Sequence, residues 1–274
     1  MGNYCWKTLP CKDSYENYIK NAFKEKNIKV IKDIPNEKIN DIFINCFESI
    51  EDKYPINTIS LIQLCLYQNW YEALKILIKK GASLKITNKK LFNKETTLFT
   101  AISFKCSIKI IKLLIANGCD IEEYSLTCFD INRDLDFYYK KPLHIAIITQ
   151  YTSAIKLLLK MNVDIESKVI IDYETEETKL IPITPLEVAC YANNVTAFKL
   201  LINKGANINH SNFIGYSLTH FAAANLAVDI LIYLKNINYD LKNNHSILKI
   251  INSIHEEHYA YNKIIINKIK KLLI

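Results

Sequence analysis

The chain has 274 residues, of which 50% are hydrophobic and 23% are charged, so it has enough apolar material for a folded core. Its net charge of +7 is spread over many lysines, with Arg133 as the single arginine, which is unlike the concentrated basic stripe of a nucleic-acid-binding protein. No apolar run approaches the roughly 20 residues of a membrane span, so we expect neither a nucleic-acid nor a membrane partner.

The eight cysteines are scattered and include no Cys-x-x-Cys pair. Cys65 and Cys190 fall at apolar positions of predicted helices, where a reduced cysteine packs as a small hydrophobic residue. The first residues contain no apolar signal segment. We therefore expect reduced cysteines and a cytoplasmic location.

The N-terminal residues predict helices before any repeat begins. Residues 14–34 read as two short helices, at 15–23 and 28–34, within an N-terminal helical cap at 1–55. The stretch 34–43 then predicts an amphipathic helix, since Ile39, Ile42 and Phe43 have helical apolar spacing.

A repeated pattern fills the middle of the chain. The hexapeptide KPLHIA (141–146) returns as TPLEVA (184–189), and a leucine-rich segment follows each copy. In both copies the last alanine lies 16 residues before a turn residue, Asn162 or Gly205. Two helices and a tight bend fit that distance, so the sequence predicts a helical repeat.

The same spacing of 16 or 17 residues identifies five units. Their small anchor residues and the turn residues that close them are Cys65 and Gly81, Ala101 and Gly118, Ala146 and Asn162, Ala189 and Gly205, and Ala222 and Asn238. Thr or Ser can cap the first helix, Pro suits its first position, and Gly or Asn accepts the left-handed turn after the second helix.

These units resemble the ankyrin repeat family, whose first helix begins with T-P-L-H-x-A and whose second ends in L-L-x-x-G-A-(D/N). The resemblance covers about residues 56–242 and is clearest in the third and fourth units. It implies an all-α ankyrin-repeat solenoid of about five repeats, with helical caps at 1–55 and 243–274. It identifies the fold more specifically than the function.

Two loops are longer than the repeat requires. Consecutive anchor alanines lie 45 and 43 residues apart at these places, against 33 for the plain unit that follows. The additional residues fall at 122–141, which combines acidic and aromatic residues, and at 167–183, where β-forming residues flank a polar acidic centre. We expect two elongated β-hairpin-like finger loops, and long loops in compact arrays are usually functional or disordered.

The finger loops carry the candidate partner-binding residues. Residues 122–136 have a net charge of −4 and 166–179 a net charge of −3, whereas the earlier loop at 85–94 is basic. Aromatic residues with a polar rim are typical of protein-binding hot spots, although the aromatics could instead pack back on the repeats. The candidates are Phe129, Phe137, Tyr138, Tyr139, Tyr173, Glu174 and Glu176.

Catalysis and metal binding are not expected. His144 and His220 occupy the histidine position of the T-P-L-H motif, where the family uses the side chain to tie neighbouring turns together. The segment 255–258 (HEEH) lacks the H-E-x-x-H spacing of a zinc site. The sequence contains no phosphate-binding glycine loop and no nucleophile elbow, so we expect no enzyme and no cofactor.

The predicted function is therefore non-catalytic protein binding or scaffolding, through the finger loops and the concave helix face. An alternative comes from 34–43, which resembles the opening of an F-box, (L/I)-P-x-E-x-(L/I)-x-x-I-F. That resemblance implies a substrate adaptor of a ubiquitin ligase, with its docking helix near 34–47. The lysine-, isoleucine- and asparagine-rich composition would suit an intracellular parasite or a large DNA virus, and so a host-interaction factor.

Overall fold

The computed structural model describes residues 12–41, 43–45, 58–85, 96–126, 139–171, 181–210, 216–239, 247 and 261–273. Its helices are α1 (Lys12–Lys24), α2 (Ile28–Asp33), α3 (Leu61–Tyr67), α4 (Tyr71–Lys79), α5 (Thr97–Ser103), α6 (Ile108–Ala116), α7 (Pro142–Ile148), α8 (Thr152–Lys160), α9 (Pro185–Tyr191), α10 (Val195–Asn203), α11 (Leu218–Ala224), α12 (Val228–Asn236) and α13 (Tyr261–Leu273). Its strands are β1 (Phe43–Asn45), β2 (Thr58–Ser60), β3 (Ser125–Leu126), β4 (Tyr139–Lys140), β5 (Val169–Ile171) and β6 (Ile181–Ile183). None of the described helices is long and apolar enough to cross a membrane.

Helices α3 to α12 form five successive pairs, with seven residues in each first helix and nine in each second helix. The fifth residue of every first helix is small and completely buried, which lets neighbouring helices pack closely. These residues are Cys65, Ala101, Ala146, Ala189 and Ala222. The predicted all-α repeat solenoid with five repeats is confirmed.

Each first helix ends in a left-handed residue. The φ angles of Asn69, Lys105, Gln150, Asn193 and Leu226 lie between 46° and 56°. The amide of the following residue bonds to the carbonyl five residues earlier, as Trp70 N does to Cys65 O at 2.9 Å. This is the Schellman arrangement, which satisfies carbonyls at the helix end. The second helices close on the predicted glycines and asparagines, also at positive φ.

Leu226 is the residue least suited to this bend, because a bulky side chain in the left-handed region costs about 1–2 kcal/mol. Replacing Leu226 by glycine should raise the free energy of unfolding by roughly 1 kcal/mol, after allowance for glycine's greater freedom in the unfolded chain. Urea denaturation measures the change. The matched control is Asn193→Gly, which should gain less because asparagine already tolerates this conformation. An equal gain in both variants would contradict the explanation.

In two repeats, the side chain that follows the left-handed residue donates a hydrogen bond to the preceding repeat. The Cys106 thiol donates a hydrogen bond to Leu66 O at 3.1 Å, and the Asn194 amide donates to Ile147 O at 2.9 Å. Cys106 and Asn194 each follow the left-handed residue, and both acceptors are the sixth residue of a first helix. Burial raises the pKa of Cys106 to about 11, so its thiol stays protonated and remains a donor.

The helix predicted at 34–43 is wrong for the residues described. Ile34 and Pro35 are extended, with ψ of 124° and 140°, and a single 3-10 turn at Asn36–Lys38 precedes β1. Proline restricts the preceding residue to extended conformations, which explains why α2 ends at Asp33 and Ile34 is not helical. β1 pairs antiparallel with β2, a pairing that the sequence analysis missed.

Among the described residues, helices lie on both sides of the repeats, α1 and α2 before them and α13 after them. At the N-terminal end, Lys80 Nζ donates to the carbonyls of Lys32 and Ile34, which satisfies the C-terminus of α2. At the C-terminal end, α13 packs on α12 and buries Ile266 and Ile269. These interactions cover apolar faces that the terminal repeats would otherwise expose.

The chain divides into two compact units, Met1–Asp120 and Ile121–Ile274. The first contains 19 basic and 12 acidic residues, and the second contains 16 of each. The whole net charge of +7 therefore belongs to the first unit. The predicted division at 1–55, 56–242 and 243–274 follows repeat boundaries rather than compactness, and it stays a prediction.

Candidate functional site

The predicted partner-binding residues fall on two loops whose bases are described. Tyr139 lies in β4, where it pairs with Leu126 of β3. Residues 127–138 and 172–180 lie outside the described residues, and they contain Phe129, Phe137, Tyr138, Tyr173, Glu174 and Glu176. The assignment of these side chains to a partner stays a prediction.

The two loop bases lie side by side. β3 pairs with β4 below the first loop and β5 pairs with β6 below the second, both antiparallel. Val169 and Ile183 face each other in the second ladder and are completely buried. β4 also lies beside β5, so the loops leave the repeats from neighbouring positions.

Lys141 joins the two ends of the first loop. Its Nζ lies 2.9 Å from Glu122 Oε2 and 4.9 Å from the centre of the Tyr124 ring. Only 11% of the lysine side chain is exposed, so solvent screens this ion pair less than an exposed one. Burial lowers the pKa of Lys141, but the hydrogen bond and charge of Glu122 outweigh burial and raise it above its ordinary value.

Side-chain oxygens of one turn also accept hydrogen bonds from backbone amides of the next turn. The acceptor and donor pairs are Glu122 Oε1 with Asp164 N, Glu166 Oε1 with Asn207 N, and Asn40 Oδ1 with Ser83 N, each at 2.7 Å. Glu122 and Glu166 both stand four residues after the left-handed residue that closes a repeat. The sequence analysis missed that spacing, which is readable from the sequence.

His144 holds the interior of the third repeat. It is completely buried, and its Nε2 lies 3.1 Å from the carbonyl of Ser167, so Nε2 carries the proton and donates. Nδ1 is buried without a hydrogen-bond partner. Burial lowers the pKa of His144 to about 3, which keeps the imidazole neutral. This bond between a helix and a turn supports the structural role predicted for His144.

Glu187 takes the same position in the fourth repeat. Its completely buried carboxylate accepts hydrogen bonds from Thr184 N at 2.7 Å and Thr184 Oγ1 at 3.0 Å. It also lies 2.9 Å from His210 Nδ1, in the turn that follows α10. The carboxylate therefore ties the start of α9 to the turn at the end of the repeat.

Tyr67 and Phe104 form an exposed aromatic pair in the first unit. Their rings lie 4.5 Å apart at 86°, and the residues are 42% and 53% exposed. The turns that carry them are bonded together, because Ser107 N donates to Asn69 Oδ1 at 2.8 Å. The sequence analysis missed this pair, since its members are 37 residues apart and no local pattern joins them.

Other reactive side chains of the described ranges are buried or dispersed. Cys65, Cys106, Cys119 and Cys190 form no disulfide bond. The described residues contain no group of three or more His, Cys, Asp or Glu side chains arranged to hold a metal ion. The 255–258 segment lies outside them.

Comparison with known proteins identifies the same units as the repeat spacing. A family model described as ankyrin repeats (3 copies) matches residues 61–169, and one described as ankyrin repeats (many copies) matches 186–234. An ankyrin repeat protein of fowlpox virus (strain NVSL) is 27% identical over 183 residues, which cover 58% of this chain and 51% of the relative. The chain thus spans about half the length of that relative.

Proposed function

Because the chain belongs to the ankyrin repeat family, we propose that it is a non-catalytic scaffold or adaptor that holds a protein partner through its long loops and through exposed aromatic residues at the ends of its first helices. Ankyrin repeats are general protein–protein interaction modules and are typically non-catalytic. We further propose that the chain acts in the cytoplasm and that two particular surfaces contact the partner.

The exposed pair Tyr67 and Phe104 carries the proposal. Large aromatic side chains supply most of the binding energy at many interfaces, because they bury much area with little loss of side-chain freedom. The bond between Ser107 and Asn69 holds the pair on two joined turns, so little ordering is needed when a partner binds. Lys105 beside Phe104 is exposed, and the first unit is basic. An acidic partner surface would complement it.

The long loops supply the second proposed contact. Its residues are Phe129, Phe137, Tyr138, Tyr139, Tyr173, Glu174 and Glu176. The two loops leave from adjacent strand pairs, and the base of the first is held by the ion pair between Lys141 and Glu122. A loop anchored at its base presents aromatic side chains with less entropy to lose on binding.

Alanine substitution tests both surfaces once the partner is known from cross-linking and mass spectrometry of the tagged chain. Changing Tyr67 and Phe104 together should weaken binding by about 2 kcal/mol, which is roughly thirtyfold in Kd. Changing the four aromatics of the first loop should do the same. Isothermal titration calorimetry measures the affinity, and circular dichroism checks that the helices remain.

The matched control is Ile237→Ala, which removes another exposed apolar side chain, 41% exposed, just after α12 in the fifth repeat. This variant should bind as the parent does. Unchanged affinity after both sets of aromatic substitutions would refute the assigned surfaces.

The ubiquitin-ligase alternative is less well supported. Its docking helix near 34–47 is replaced in the described residues by an extended segment, a 3-10 turn and β1. The matched relative is a protein of a virus, and its name gives no adaptor role. Loss of a ligase adaptor from the purified complex on changing Pro35 and Phe43 would revive this alternative.

A further inference from the structure

Lys141 occupies a position that the other repeats give to a hydroxyl residue. The residues that precede the first helices are Ser60, Thr96, Lys141, Thr184 and Ser217. The hydroxyl oxygens of Ser60, Thr96 and Thr184 accept a backbone N–H three residues later, at 3.2 to 3.4 Å. The Lys141 side chain forms no such cap in α7. Helix α7 therefore lacks a hydrogen bond that stabilises a helix by about 1 kcal/mol.

The lysine also leaves a buried histidine incompletely bonded. In the fifth repeat, His220 Nδ1 lies 3.1 Å from Ser217 N and 2.9 Å from Ser217 Oγ. The equivalent Nδ1 of His144 has no partner. A hydroxyl at position 141 would supply one, as Ser217 does, and an unsatisfied buried acceptor is destabilising. The third repeat is therefore less stable than it would be with a hydroxyl residue at position 141.

We propose that Lys141 is a positioning residue, which replaces the helix cap with a clamp on the base of the 127–138 loop. One Glu122 oxygen binds Lys141 Nζ and the other accepts from Asp164 N in the next closing turn. The Tyr124 ring covers the same ammonium group. The clamp joins the start of β3 to the end of β4 and connects both to the turn that closes the third repeat.

The inference deepens the proposed function, because a fixed loop base presents the loop's aromatics to a partner. Its test requires no partner, so the two proposals can fail separately. If the loop aromatics prove to contribute little to binding, the proposal of the clamp still stands. If the clamp test fails, the proposal that Tyr67 and Phe104 form a binding surface still stands.

Two substitutions at position 141 separate the clamp from the cap. Lys141→Met keeps the length of the side chain but removes the charge, and Lys141→Thr removes the clamp and restores the cap. In both, amide exchange of Lys140 and Ser125 should become about tenfold faster by NMR, while Asp164 N keeps its Glu122 oxygen and its exchange should not change. The Tm of Lys141→Thr should exceed that of Lys141→Met by about 3 °C, since only threonine caps α7.

Glu122→Gln gives a third, independent measurement. Glutamine keeps an oxygen for Asp164 N but loses the ion pair, so exchange should rise in the β3–β4 ladder and not at Asp164. In the unsubstituted protein, 1 M salt should screen the ion pair and so speed amide exchange in the β3–β4 ladder. It should have no such effect in Lys141→Met, which lacks the ion pair. Ladder exchange unchanged in Lys141→Met, or a Lys141→Thr variant no more stable than Lys141→Met, would overturn the proposal.

Discussion

Replacing Glu187 by leucine should lower the free energy of unfolding by about 3–5 kcal/mol, the effect expected when one member of a buried polar cluster is removed. The carboxylate is completely buried and binds the Thr184 amide, the Thr184 hydroxyl and His210. Leucine fits the volume but leaves these groups without an acceptor. Urea denaturation at neutral pH measures the loss.

A double-mutant cycle with His210→Leu tests whether the loss comes from the polar cluster. The two changes should not be additive, because each removes the contact between Glu187 and His210 at 2.9 Å. Phe99 holds the equivalent position in the second repeat, so the fold accepts an apolar residue where no such partners exist. Additive losses would mean that the two side chains act independently.

Lowering the pH from 7 to 5 should remove roughly 2 kcal/mol of stability through His144 alone. Burial is the main cause that lowers its pKa to about 3 in the folded protein, while the ordinary value of 6.5 applies to the unfolded chain. Between these values the unfolded chain binds more protons. Stability therefore falls as the pH drops below 6.5 towards 3.

His144→Gln isolates this effect from the carboxylates that also titrate in acid. Glutamine cannot be protonated in this range and can still donate to Ser167 O, and Gln63 shows that the position accepts it. Denaturation curves from pH 7 to pH 4 should give a shallower fall in stability for the variant. Equal slopes would show that His144 does not control acid stability.

The repeats were predictable because their signal is both periodic and local. An alanine or cysteine anchor, a leucine-rich second helix and a closing glycine or asparagine recur at a fixed distance. The bend inside each repeat was predicted but its left-handed conformation was not, because Lys105, Gln150 and Leu226 carry no sign of that conformation. At 34–43, Pro35 keeps Ile34 extended, and Phe43 pairs with Ser60 in β2 instead of continuing the apolar spacing that suggested a helix.

The surfaces were less predictable, since they depend on contacts between distant residues. Tyr67 and Phe104 become neighbours only when consecutive repeats stack. The interaction of Lys141 with Glu122 was equally hidden, because the lysine stands in the best-formed motif of the sequence, where a helix start is expected. The aromatic loop residues were chosen from composition, and they remain a prediction.

The bonds from Cys106 to Leu66 and from Asn194 to Ile147 have a consequence for how such a chain can grow. A thiol and an amide perform the same task, so the shared requirement is a donor aimed at the carbonyl of the sixth residue in the first helix of the preceding repeat. A duplicated repeat would bring its own donor and its own carbonyl to the new junction. Insertion or loss of a whole repeat at such a junction therefore preserves both bonds. The protein can accordingly become longer or shorter by whole repeats without losing bonds of this kind.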